Sequence, residues 1–395
     1  MSNKTLLRYY LLISGLYASG IGIWSGTIYL YMKAVHYSYG QINLFLVIFW
    51  ITSFLTEIPM GMLADKYGQL KISMMSCFIR SLGLLSIALS NLNITYLIIG
   101  AILTALGQSM YSGSLDSWIV NQTEKSPINL DKLFAHKSLI VAATTMLSGY
   151  IGSQYLGNIN LKYPLVIGAL LLLLPIPVFI VLDHQLTDFK QPIDLKSLKS
   201  MFRFKQKPVH LSKNLIVYFL MLLSVLFITT NPYNQWQLFF QKNNGHIETG
   251  YILVAINLVS ILGSYLIGKI KIKNRVQLFS NQLYLLTFFL ILAVFFRSKF
   301  KTISIIFFLM HTLITSSNEV IQVSLLQTKI TSNKNRTTIT SFYNCLESLI
   351  SIVIIGVNGI VSDKFGIGVG WISFAIVGIF LFIILKFLNQ KLATN

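Results

Sequence analysis

Long apolar runs separated by short polar connections follow one another along all 395 residues. A run of about 20 apolar residues forms a helix long enough to cross the roughly 30 Å hydrocarbon core of a bilayer. Lipid offers no hydrogen-bond partners to an open backbone, so each run is expected to be helical. The pattern predicts twelve transmembrane helices, at about 6–32, 41–62, 71–91, 93–120, 135–157, 163–182, 214–240, 248–268, 276–297, 301–328, 337–361 and 366–388.

The longest polar segment, residues 183–213, divides the chain into two blocks of similar length. We therefore expect an N-terminal six-helix bundle at 1–182, a cytoplasmic linker at 183–213 and a C-terminal six-helix bundle at 214–395. Two such blocks joined by a linker are typical of membrane proteins built from repeats. Within the linker, residues 195–204 suit an amphipathic surface helix, and a solvated linker explains them equally well.

Composition and charge support a membrane protein rather than a nucleic-acid-binding one. Apolar residues make up 54% of the chain, and the net charge is +19. Most of the 31 Lys and Arg fall on the side of the predicted topology that carries both termini, which places both termini in the cytoplasm. The basic charge then reports topology and contact with membrane lipid, and we expect no nucleic-acid partner.

Several other chemistries have no signature in the chain. Its two cysteines lie within predicted spans, and its histidines lack metal-ligand spacing. No Walker A sequence and no nucleophile elbow is present. We therefore expect neither an enzyme nor a bound metal or cofactor.

The connection between the second and third runs reads "GMLADKYG", residues 61–68. Its pattern of Gly61, Leu63, Ala64, Asp65, Lys66 and Gly68 resembles the loop signature of the major facilitator superfamily. The resemblance implies the major facilitator fold, with two pseudo-symmetric six-helix bundles, in a monomer that binds a small-molecule substrate. The stretches "EIP" and "SGSLDSWI" resemble a bacterial, drug-efflux-like branch of that superfamily, which implies a bacterial cell membrane.

In that family the loop latches the protein in one of two access states. One departure is Gln69, which stands where the family pattern is usually basic. A charge relay through the loop would therefore need Lys66, Lys71 or Arg80. The residues expected to form this conformational latch are Gly61, Asp65, Lys66, Gly68, Lys71, Glu57, Arg80 and Asp116.

Five ionisable residues fall within predicted spans: Glu57, Arg80, Asp116, Glu319 and Glu347. An ionisable group in hydrocarbon costs several kcal/mol unless it is paired or hydrated, so each is a candidate for function. The simpler interpretation of the first three is an ion-pair cluster, Arg80 with Asp116 or Glu57. In the alternative, one of these acids exchanges a proton during transport.

Glu319 is the first candidate for proton coupling or for binding a cationic substrate, since it lies near the middle of the polar tenth span. Glu347 is the second, with an interhelical hydrogen bond as its simpler role. By resemblance, spans one, four, seven and ten line a central cavity. The further candidates are His311 and Asn318, Tyr17 and Trp24 on the first span, and Asn231, Tyr233 and Asn234 on the seventh.

The resemblance and these acids together predict a secondary active transporter working by alternating access. The favoured function is proton-coupled efflux of a hydrophobic or cationic compound. Uptake of a small nutrient such as a sugar or peptide is the alternative. A non-transporting receptor or immunity protein on the same fold is a third possibility.

Overall fold

Helices make up most of the residues that the computed structural model describes. These residues are 3–91, 93–112, 114–123, 130–186, 212–241, 248–269, 274–329 and 336–394. Most of the predicted linker, including residues 195–204, lies outside this described part of the chain.

Six predicted spans occupy the first half of the chain. Their helices are α1 (Asn3–Ser25), α2 (Ile28–Ala34), α3 (Tyr39–Tyr67), α4 (Gln69–Ala88), α5 (Ile94–Tyr111), α6 (Ser114–Thr123), α7 (Leu130–Tyr150), α8 (Gly157–Ile159), α9 (Tyr163–Leu173) and α10 (Pro175–Leu186). A π-helical segment, Ile151–Leu156, joins α7 to α8. Thus several spans are two consecutive helices with a short interruption.

The second half follows the same plan with fewer interruptions. Its helices are α11 (Lys213–Leu223), α12 (Leu226–Phe240), α13 (Thr249–Lys269), α14 (Arg275–Phe296), α15 (Lys301–Lys329), α16 (Arg336–Phe365) and α17 (Ile367–Thr394). Pro232 lies inside α12, where it has no amide hydrogen to donate to the preceding turn.

Eleven helical stretches in the described part of the chain are long and apolar enough to cross a membrane. They correspond to all the predicted spans except the fifth. The fifth stretch is helical from Leu130 to Ile159. Its interior carries Thr144, Thr145, Ser148 and Gln154, and these side chains lower its apolar character.

The chain forms two compact units. The first comprises Met1–Tyr37, Phe45–Gln206 and His246–Tyr251, and in it α4 packs on α5 and α9, and α1 on α7. The second comprises Ser38–Leu44, Lys207–Gly245 and Ile252–Asn395, and in it α14 packs on α15, and α11, α12 and α16 pack on α17. The first turns of α3 therefore belong to the second unit, whereas a division at the linker alone would assign them to the first.

The loop signature takes the form of a sharp helix-to-helix turn. Gly68 separates α3 from α4 with φ of 103°, a backbone region that favours glycine. Its N–H donates to the Ala64 carbonyl, and its own carbonyl accepts from the Ile72 N–H. Leu63, Ala64, Tyr67 and Ile72 form a buried cluster with Met110. This packing fixes the turn against the end of α5.

We expect Gly68→Ala to destabilise the first unit by about 1–2 kcal/mol, because a Cβ atom is strained at this φ. Thermal unfolding of the purified protein in detergent measures the effect as a lower midpoint. Gly61→Ala is the matched control. Gly61 lies within α3, and nothing lies within 4 Å of the position of an added Cβ. Equal midpoints for the two variants would contradict the expectation.

Candidate functional site

Two carboxylates of the second unit lie within electrostatic range of each other. Glu319 is exposed on α15, and Glu347, on α16, is close enough to interact with it electrostatically. Neither has a hydrogen bond or an ion pair with another residue of the described ranges. The interhelical hydrogen bond expected for Glu347 is therefore not formed there. The structure thus brings the first and second candidates into one acidic pair.

A third candidate, Tyr233, joins this pair from α12. Its side chain is 77% exposed and lies within electrostatic range of Glu319. Its neighbours behave differently. Asn231 is buried, and Asn234 donates to the Thr230 carbonyl one turn earlier in the same helix, at 2.8 Å. Of the three candidates on the seventh span, Tyr233 is therefore the one within electrostatic range of Glu319.

His311 and Asn318 lie on a different face of α15, against α14. The His311 ring contacts the Leu286 carbonyl through Nδ1 at 3.0 Å, and the ring is buried. The Asn318 amide donates to Gln282 Oε1 at 3.0 Å, and Gln282 in turn donates to Ser317 Oγ at 3.0 Å. These contacts hold α15 against α14 and so position Glu319 rather than adding to the acidic pair.

Tyr343 and Gln322 extend the acidic pair and were absent from the predicted site. Gln322 Nε2 donates to the Tyr343 hydroxyl at 2.7 Å and to the Leu222 carbonyl at 3.3 Å. Tyr343 precedes Glu347 by one helical turn and interacts with it electrostatically. Spacing could have found both, since residues three or four apart share a helix face. Gln322 stands in this relation to Glu319, and Tyr343 to Glu347.

The first unit contains a buried arginine with neutral partners. Arg80 on α4 is 6% exposed. Its Nη1 donates to the Tyr17 hydroxyl at 2.6 Å, and its Nη2 donates to Gln108 Oε1 at 3.0 Å. The Tyr17 ring stacks on Tyr111 with centroids 3.6 Å apart. Phenol and amide dipoles thus solvate a charge that burial would otherwise make costly.

Asp116 and Glu57 do not partner Arg80. Asp116 forms an ion pair with Lys137 at 2.5 Å and accepts a hydrogen bond from the Tyr10 hydroxyl at 2.7 Å. Glu57 is exposed on α3. The structure therefore replaces the expected cluster with two separate arrangements, one around Arg80 and one around Asp116.

The remaining candidates divide between the turn and the core. Lys66 lies over the Tyr67 ring at 5.2 Å, and Lys71 is half-buried on α4. The Asp65 side chain lies outside the described part of the structure. Trp24 packs against α9, where a Cβ atom on Gly168 would approach its Cδ1 to 2.7 Å. Trp24 thus has a packing contact in the first unit.

The acidic pair is suited to binding positive charge. Two carboxylates within electrostatic range repel each other, and a proton or a cation bound at either one relieves that repulsion. The Tyr233 ring adds a face that attracts cations. Within the described residues no basic side chain forms an ion pair with either acid.

These features define a multi-pass membrane protein of helical bundles, with two acids that have no basic partner among the described residues. The model of the Major Facilitator Superfamily matches residues 10–355, so the chain belongs to that superfamily. The fold predicted from the loop signature and the apolar pattern is confirmed.

One curated relative matches part of the chain. The chain is 28% identical over 161 residues to the uncharacterized MFS-type transporter YxaM of Bacillus subtilis (strain 168). The aligned part covers 41% of this chain and 39% of that relative. The chain thus spans about two fifths of the length of the curated relative that it matches.

Solved structures share the fold over nearly the whole chain. The nucleoside transporter NupG superposes with a TM-score of 0.75 at 13% identity, and the superposition covers 98% of each chain. A POT family transporter in complex with 5-aminolevulinic acid superposes with a TM-score of 0.70 at 13% identity, over 98% of this chain and 96% of that one. A bacterial homolog of the human lysosomal transporter Spinster gives 0.69 at 14% identity, over 98% and 97%. At these identities the likeness establishes the fold alone.

We expect Tyr17→Phe to lower the free energy of unfolding by about 1–3 kcal/mol, because it leaves the buried Nη1 of Arg80 without its acceptor. Denaturant unfolding in detergent measures the change. Tyr96→Phe is the control, since its side chain is 45% exposed and the change also removes one phenol hydroxyl. Indistinguishable stability of the two variants would contradict a structural role for the Tyr17–Arg80 contact.

Proposed function

We propose that this protein is a secondary transporter that exports a small hydrophobic or cationic compound in exchange for protons. The observation that carries the proposal is the acidic pair of Glu319 and Glu347, which has no counter-charge among the described residues. A packing role alone gives no reason to place two unpaired carboxylates within electrostatic range of each other in predicted spans, where each is costly.

Competition at this pair supplies the coupling. A proton and a cationic substrate each neutralise the same carboxylates, so the arrival of one favours the departure of the other. Alternating exposure of the pair to the two sides then converts an inward flow of protons into an outward flow of substrate. The membrane potential contributes about 2.3 kcal/mol per charge for each 100 mV. Because a proton and the substrate displace each other, they cross the membrane in opposite directions. Protons that flow inward therefore drive the substrate outward.

The protein acts, in this proposal, as a monomer in a bacterial cell membrane with both termini in the cytoplasm. The positive-inside distribution of Lys and Arg supports the orientation. The match to a Bacillus subtilis transporter supports the bacterial setting and the transport function. The drug-efflux-like branch rests on the sequence resemblance of "EIP" and "SGSLDSWI".

Uptake of a small nutrient is the second candidate, and the surroundings of Arg80 favour it. A buried guanidinium that donates to two neutral side chains, Tyr17 and Gln108, suits a substrate that carries an anionic group. Fold neighbours are described as a nucleoside transporter and as a transporter bound to 5-aminolevulinic acid, a carboxylic acid. At 13% identity these neighbours support a transport function in general and do not indicate a particular substrate.

Reconstitution in liposomes tests the proposal. Vesicles with an acidic lumen and a pH-sensitive dye inside are given ethidium, tetraphenylphosphonium, uridine or 5-aminolevulinic acid outside. We expect the two cations to raise the luminal pH, because protons leave as cations enter. Losing one interaction with a charged group removes roughly 1.5–3 kcal/mol, so Glu319→Gln and Glu347→Gln are expected to slow the exchange by at least about tenfold.

Glu248→Gln is the matched control, because this acid lies in the connection before α13 and outside the acidic pair. It is expected to exchange protons at the wild-type rate. A fall in luminal pH after the addition of uridine or 5-aminolevulinic acid alone would show that protons enter with the compound. That result would overturn export in favour of uptake. Cation exchange that persists at the wild-type rate in both Gln variants would remove the acidic pair from the mechanism.

A further inference from the structure

The chain contains a second copy of its loop signature, at the connection between α16 and α17. Residues 359–366 read "GIVSDKFG", against "GMLADKYG" at 61–68. Both copies end at a glycine with positive φ, 88° at Gly366 and 103° at Gly68. In both, that glycine donates its N–H four residues back, Gly366 to the Ser362 carbonyl. The two octapeptides therefore share a turn as well as a sequence.

The start of α3 shows what the second copy contacts. A helix begins with backbone N–H groups that have no partner within the helix. Ser38 and Gln41 satisfy two of them by a capping box. Gln41 N–H donates to Ser38 Oγ at 3.1 Å, and Ser38 N–H donates to Gln41 Oε1 at 2.9 Å. The N–H groups of Tyr39 and Gly40 are left for another partner.

Asp363, from the second copy of the signature, is that partner. The Tyr39 N–H donates to its Oδ1 and the Gly40 N–H to its Oδ2, each at 2.7 Å. Glycine at position 40 permits the approach, since an added Cβ atom would lie 2.7 Å from Oδ2. All three residues belong to the second unit. A carboxylate on two amides at a helix N-terminus also interacts favourably with the helix dipole.

The contact is built so that it can open. Its hydrogen bonds are exposed, and Asp363 is exposed, so water can replace either partner. The capping box joins Ser38 and Gln41 without Asp363, so we expect α3 to stay helical when Asp363 leaves. Deeper in the same interface, Asn43 donates to the Ile355 carbonyl through a buried 2.7 Å bond. The exposed carboxylate contact is therefore the more labile end of this interface.

We propose that Asp363 and the first amides of α3 form a releasable clasp, which opens and closes during the conformational cycle. In the twelve-span arrangement, nine spans separate the two signature copies, so this clasp lies on the opposite side of the membrane from the α3–α4 turn. Each side then carries one copy of the signature. The labile carboxylate contact, rather than the buried bond of Asn43, is the element that switches.

Hydrogen exchange resolved to single amides tests the clasp without any substrate. In the wild type, Tyr39 and Gly40 are expected to exchange by local opening, faster than the α3 interior and independently of mild denaturant. Asp363→Ala is expected to speed both amides by about tenfold, the effect of losing a charge-assisted hydrogen bond. Asp363→Asn keeps one acceptor oxygen, so its exchange rates at Tyr39 and Gly40 are expected to lie between those of the wild type and of Asp363→Ala.

Gln41 is an internal control, because its N–H donates to Ser38 and its rate is expected to stay unchanged. Lys364→Gln, at the neighbouring exposed position, is the matched control variant. Two results would overturn the proposal. One is unchanged exchange at Tyr39 and Gly40 in Asp363→Ala. The other is that, in the wild type, the Tyr39 and Gly40 amides exchange only by global unfolding, at the same rate as the amides in the interior of α16.

A reversible cross-link tests whether opening is needed for turnover, and this arm rests on the proposed function. In a Cys77→Ser, Cys345→Ser background, Gly40→Cys and Asp363→Cys are combined, and ethidium-driven proton exchange is followed. We expect oxidation to stop the exchange in the double-cysteine variant and a reductant to restore it, whereas oxidation is expected to leave the rate of each single-cysteine variant unchanged. Unimpaired exchange in the cross-linked protein would make the contact a static cap. Silence toward ethidium in every variant would count against the transport proposal alone, because the hydrogen-exchange arm needs no substrate.

Discussion

The structure depends on the constraint that a hydrocarbon environment offers polar groups no partners. Helices satisfy the backbone, and polar side chains within spans must then find partners inside their own unit. Arg80 does so through Tyr17 and Gln108, and Asn318 does so through Gln282. Against this background, two carboxylates without partners among the described residues stand out. The missing counter-charge beside two neighbouring acids, rather than any motif, identifies the candidate site.

The helices could be predicted from the sequence because the signal for a membrane span is local. A run of apolar residues has the same consequence wherever it lies, and the positions of the spans follow from counting. The turn at Gly68 was equally predictable, since a glycine between two apolar runs supplies the φ that the turn requires. The fifth span shows where the signal weakens, because its Ser, Thr and Gln residues interrupt the apolar run.

Side-chain partners were harder to predict because they depend on which helix faces which. Asp116 was expected beside Arg80, but Lys137 on α7 offers it an opposite charge, and Tyr10 adds a hydrogen bond. Without that acid, Arg80 is solvated by neutral dipoles. His311 has the residue type of a proton carrier, yet its ring contacts α14. Spacing along one helix gives its faces, and only the tertiary packing says what each face meets.

Helix α16 connects the acidic pair to the clasp. Glu347 and Asp363 lie sixteen residues apart on it, or about 24 Å along the axis. The helix runs unbroken from Arg336 to Phe365 with no proline inside, so a shift at one end can be carried to the other. Gln235 of α12 contacts Asn358 and Ser362 on the same helix, which joins the span of Tyr233 to α16. We therefore expect a change of charge at Glu347 that shifts α16 to reach Asp363, where the exposed hydrogen bonds to α3 open more easily than the buried bond of Asn43.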